Sequence, residues 1–128
     1  GRAVDVAAHI EESMALRETI DDTRGVAICQ SLLAGWLAHR GDVTAAGKFY
    51  EQSLDGYRRI GDLSKYADTW TALSDIAESQ GDLPGAEAAL IAAAQSARRA
   101  GLQARLAAAL HKLGRLALAQ DDPSRARV

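Results

Sequence analysis

Gly41-Asp42-Val43 returns 40 residues later as Gly81-Asp82-Leu83, and once more in altered form as Asp121-Asp122-Pro123. Midway between these triplets lie Ile20-Asp21-Asp22, Ile60-Gly61-Asp62 and Ala100-Gly101-Leu102, again one period apart. Two breaks per period make each repeat a pair of elements, and self-similarity on this scale is the mark of a stacked array. Between the breaks the apolar residues recur at threes and fours, as in Ala67, Trp70, Leu73, Ile76 and Ala77. That spacing puts one apolar stripe on a helix and does not suit a strand.

The chemistry of the breaks agrees with helix ends. Asp42, Asp62, Asp82 and Asp122 can accept from the unpaired amides that open a helix, and Pro84 and Pro123 sit where a missing N–H costs little. Gly41, Gly61, Gly81 and Gly101 suit the left-handed residue that closes one. The pattern predicts helices near 3–20, 23–40, 43–60, 63–80, 83–100 and 103–120. A stub of a further helix is predicted at 121–128, with all of 1–128 forming one domain.

Aligned in register, the copies keep small residues in place. Ala27, Ala67 and Ala107 coincide, as do Ala34, Ser74 and Gly114, and Ala46, Ala86 and Ala126, and a leucine, Leu37, aligns with Ala77 and Ala117. Larger side chains there would push helix axes apart. Composition says the same, with 27 alanines, six aromatic residues and no asparagine among 128 residues. Alanine favours helix and disfavours strand, so the fold class is all-α.

Trp70, Leu73, Ser74, Ala77, Ala86, Leu90 and Ala93 fall where tetratricopeptide repeats place their large, small and alanine positions, and the chain resembles that family over most of its length. The resemblance implies a right-handed α-solenoid of antiparallel helix pairs. The period of 40 exceeds the family's usual length of roughly 34 residues, and each helix is longer by about a turn. In this the chain is similar to the long-helix arrays at the C-termini of bacterial signal-responsive transcriptional regulators. Phrases such as Glu12-Ser13-Met14-Ala15-Leu16-Arg17 and Leu116-Ala117-Leu118-Ala119-Gln120, and twelve arginines against three lysines, also resemble that group.

Chemistry-bearing constellations are absent from the sequence. His9, His39 and His111 occupy different repeat positions, and no His-x-x-x-His pair offers a metal site. Cys29 stands alone, is read as a packed thiol, and excludes an internal disulfide. Glu11-Glu12 and Asp21-Asp22 read as solvated faces and helix starts. Arg58-Arg59 and Arg98-Arg99 complement the ends of two helices and could otherwise form an anion-binding stripe. Trp36 aligns with Ile76 and Leu116 and reads as core. The expectation is a noncatalytic module without cofactor or metal.

A net charge of −2 argues against direct binding of nucleic acid. No run approaches the roughly 18 apolar residues of a membrane helix, and residues 1–10 lack a signal-peptide layout, so a cytoplasmic location without membrane contact is expected. By the resemblance, the first helix of each pair lines a concave groove for a protein or peptide segment. This assigns Ser31, Leu32, Gly35 and His39, then Asp68, Thr71, Asp75 and Glu78, then His111, Lys112 and Arg115, an acidic middle facing a basic side. The alternative is an effector-sensing module of a multidomain transcriptional regulator that responds to a small molecule or peptide. The apolar last helix adds an expectation of self-association through that end.

Overall fold

The computed structural model describes the backbone of residues 2–121 and the side chains of 5–121. Those residues form six helices and no strand: α1 (Arg2–Thr19), α2 (Thr23–His39), α3 (Val43–Ile60), α4 (Leu63–Ser79), α5 (Leu83–Ala100) and α6 (Gln103–Asp121). The fold is an all-α helical repeat with boundaries within about a residue of those expected. Asp122, Pro123, Ala126 and the rest of the predicted stub beyond Asp121 lie outside the described residues.

The breaks work through local chemistry. The Asp22, Asp42 and Asp82 carboxylates accept from the amides of Gly25, Ala45 and Gly85 at 2.9, 3.2 and 2.9 Å, capping α2, α3 and α5. Each satisfies a donor that the first helical turn leaves open. Gly61 and Gly101 close α3 and α5 at φ 74° and 70°. The corresponding position after α1 holds Asp21 at φ 56°, the one non-glycine at positive φ among the described residues. Aspartate tolerates this region better than most residues, at some cost.

The chain divides into two compact units, Gly1–Asp62 and Leu63–Val128. In the first unit, α2 packs on one side against α1 and on the other against α3. Ile10, Cys29 and Leu33 form its core, with Met14, Trp36, Leu37 and Phe49 packed around them. The small positions of α2 let α3 approach: Ala27 and Ala34 are fully buried, and a Cβ on Gly35 would meet the Tyr50 hydroxyl at 3.4 Å. Arg24 Nη1 donates to Asp62 at 2.6 Å and ties the start of α2 to the end of α3.

In the second unit, α5 packs against both α4 and α6. Ala86, Leu90 and Leu116 make one core cluster, with Ala77, Leu83 and Leu113 against it. Ala93, Ala94 and Ala109 make another, with Trp70 and Leu106. Alanine dominates because α5 has a neighbour on each side and must stay narrow.

The repeated small positions diverge in the third copy. Ala67 and Ser74 are buried as their α2 counterparts are, yet Ala107, Gly114 and Ala117 are exposed. α2 and α4 turn this stripe toward the helix that follows them, whereas among the described residues no helix follows α6. The packing requirement inferred from the alignment therefore operates in two copies of the three. Leu110 and Leu118 beside that stripe remain 46% and 75% exposed.

Candidate functional site

α2 holds Ile28, Leu32 and His39 exposed on one face at helical spacing. Of the expected groove residues on this helix, Leu32 and His39 point to solvent. Ser31 and Gly35 are half-buried, and the Ser31 hydroxyl lies 3.3 Å from the Tyr57 hydroxyl of α3. Ser31 is thus bound up in packing the α2–α3 pair.

In the second unit α4 shows Asp68, Asp75 and Glu78 exposed, with Thr71 half-buried between them. Thr71 Oγ1 donates to the Ala67 carbonyl at 3.3 Å, so its hydroxyl turns back on its own helix. α6 presents His111 and Arg115 exposed and Lys112 half-buried.

The acidic and basic sets meet each other. Arg105 donates from Nε and Nη2 to the two oxygens of Asp68 at 2.8 and 3.2 Å. One level along, the Lys112 ammonium is 3.5 Å from Asp75. Both pairs span 37 residues and lie seven apart along each helix, because two turns of α4 run alongside two turns of α6. Sequence reasoning missed Arg105. Its spacing of seven from Lys112, matching that of Asp75 from Asp68, is the signal that could have found it. All four side chains are at least partly solvated, so each pair contributes at most about 1 kcal/mol. Glu78, His111 and Arg115 stand outside these pairs.

Remaining chemical candidates are absorbed by structure. Cys29 is buried, and its thiol lies 3.6 Å from the Ser13 hydroxyl of α1. Arg58 and Arg59 occupy the last turn of α3 and pair with Asp55 at 2.8 and 4.0 Å. Arg98 and Arg99 occupy the last turn of α5. The Trp36 ring packs against the first core and carries the Arg40 guanidinium 5.1 Å from its centre. The Asp22 carboxyl is held below its usual value of 3.8 by the Gly25 amide and then by Arg17, whose Nη1 is 2.8 Å away. Among the described residues no group of three or more His, Cys, Asp or Glu side chains could hold a metal. No described helix is long and apolar enough to cross a membrane.

What the exposed faces offer is recognition: two apolar groups and an imidazole on α2, and a ladder of carboxylates and cations on α4 and α6. No curated protein matches the sequence. The family model described as Tetratricopeptide repeat matches residues 25–90, just over half of the chain, beginning in α2 and ending in the middle of α5. That family generally mediates protein–protein interaction, and its repeats are typically noncatalytic. From the paired helices, the small residues at their crossings and this match, the chain belongs to the tetratricopeptide repeat family.

Proposed function

We propose that the chain is a noncatalytic interaction module that takes a protein or peptide segment along the exposed faces of α4 and α6. The observation that carries this reading is the ladder on α4 and α6, where Asp68 with Arg105 and Asp75 with Lys112 set carboxylates of one helix against cations of the other at a fixed interval. Glu78, His111 and Arg115 on the same helices have no ion partner among the described residues and can engage a ligand. A partner segment with both signs of charge can replace an internal ion partner by an external one without stranding a charge. Preformed helices lose little ordering entropy on binding.

A 12-residue peptide array probed with the protein tests this. Sequences with both basic and acidic residues are expected to be retained, and D75A and R115A to weaken the best of them about tenfold with helicity unchanged. Retention unaffected by either variant, or a footprint confined to α1, α3 and α5, overturns the reading.

Helices of 17–19 residues support the long-helix variety of the family and, through it, a place in a larger bacterial transcriptional regulator. The exposed Leu110 and Leu118 on α6 support self-association through that helix as a second partner mode. Light scattering over a concentration series decides it, since a constant monomer mass at high concentration excludes it.

A further inference from the structure

A cavity of about 270 Å³ opens in the first unit among the C-terminal ends of α1 and α3 and the N-terminal half of α2. It lies on the side of α2 away from the exposed Ile28, Leu32 and His39. Val26 gives its accessible apolar wall, with the buried Ala27 and Gly56 behind it. At its polar side Gln30 Nε2 donates to Gln52 Oε1 at 3.3 Å. Roughly 300–1,000 Å³ is usual for a small-molecule site, so this cavity has the scale of a single large side chain.

The repeat explains why the space exists. Val26 and Gln30 on α2 correspond, one period on, to Tyr66 and Trp70 on α4, whose rings meet edge to face with centroids 6.2 Å apart. Two periods on, the same positions hold Leu106 and Leu110. Gln52 and Gly56 likewise replace Ala92 and Ser96. At the positions where the second copy carries two aromatic rings, the first carries a valine and an amide.

Charge narrows the occupant. Four carboxylates and one guanidinium line the cavity: Glu18, Asp21, Asp22, Asp55 and Arg59. Asp22 is occupied by Arg17 and the Gly25 amide, and Asp55 by Arg58 and Arg59. Glu18 and Asp21 have no ion partner among the described residues. A concave wall with uncompensated negative charge concentrates its field on the opening. Among natural side chains the flat guanidinium fits best, with a stem to lie on Val26 and a fork that matches carboxylate oxygens.

We infer that this cavity is a second binding site of the chain, which receives an arginine side chain projecting from a partner protein. The stem lies on Val26, and the guanidinium is met by Glu18 and Asp21 at the rim. The site is independent of the ladder on α4 and α6, and either can fail without the other.

The test is an NMR titration of the whole chain with the peptide acetyl-Gly-Ser-Gly-Arg-Gly-Ser-Gly-amide. A matched peptide with neutral citrulline in place of arginine serves as control. Saturable shifts of the Val26, Gln30 and Gly56 amides are expected with the arginine peptide, and at least fivefold weaker ones with citrulline. E18Q/D21N, which alters only exposed carboxylates, should weaken binding at least fivefold. Q30W, which returns the ring of the second copy to this position, should abolish it. Equal binding of the citrulline peptide, no effect of E18Q/D21N, or shifts confined to α4 and α6 overturn the inference. The last result would leave the ladder reading standing.

Discussion

Gly56 of α3 lies so close to Ala27 of α2 that a Cβ added to it would stand 2.9 Å from the alanine Cβ. Real Cβ atoms do not approach so near, and the Thr23 carbonyl, at 3.8 Å, limits relief in another direction. Here the spacing of one helix pair is set by the absence of an atom. Gly56→Val should therefore destabilise the first unit by about 1–3 kcal/mol through overpacking, read as a lower urea midpoint at unchanged slope. Gly56→Ala should fall between, because the helix gains roughly 1 kcal/mol in propensity against the clash.

Gly114 of α6 is the opposite case. No described residue lies within 4 Å of the position its Cβ would take, although its counterparts Ala34 and Ser74 are buried. Gly114→Ala should stabilise by about 0.5–1 kcal/mol, the helix-interior cost of glycine, seen as a raised melting temperature.

Asp21 holds φ 56° where the later copies use Gly61 and Gly101. Asp21→Gly removes the backbone strain and should raise stability by at most about 1 kcal/mol, since the left-handed cost of roughly 1–2 kcal/mol is offset in part by glycine's freedom in the unfolded chain. Asp21→Val at the same place should lower it, and the sign of the difference in melting temperature is the readout.

Asp22 supplies a pH signature. Its carboxyl titrates below the usual 3.8 in the folded chain, first through the Gly25 amide and then through Arg17. A depressed acid favours the folded state above its unfolded pKa and loses that contribution as pH falls through the lowered folded value. The gap in melting temperature between wild type and Asp22→Ala should be constant from pH 7 to about 5 and shrink below about pH 4. Added salt should narrow it, as the carboxylate is solvated.

Leu90 is buried between α4 and α6 in the second core. Leu90→Ala should cost about 2–5 kcal/mol, far more than the at most about 1 kcal/mol expected for Asp68→Ala. Urea unfolding of the two variants side by side measures the contrast between packing and surface pairing.

What could be read from the residues was whatever is settled within a few positions. Asp42 and Asp82 cap because their oxygens reach an amide three residues on, and Gly61 and Gly101 close helices because their φ is positive. Such requirements are written locally, so helix limits were legible almost to the residue. The exposure of Ala107 and Gly114 was not, since it depends on what stands beside α6 and not on α6 itself. The pairing of Asp68 with Arg105 was hidden for a related reason. It requires the rotation of α4 and α6 about their own axes, which an apolar stripe fixes only coarsely. The repeat register puts Ser31 on an open face, but a shift of a fraction of a turn brings its hydroxyl to Tyr57. The cavity beside Val26 and Gln30 leaves no mark in the repeat, because it arises at positions that do not recur.

The lone thiol of Cys29 is closed between α2 and α1, against Ser13. With one cysteine in the chain, any thiol-reactive dye must wait until those two helices part. The labelling rate is therefore a clock for the opening of the contact between α1 and α2.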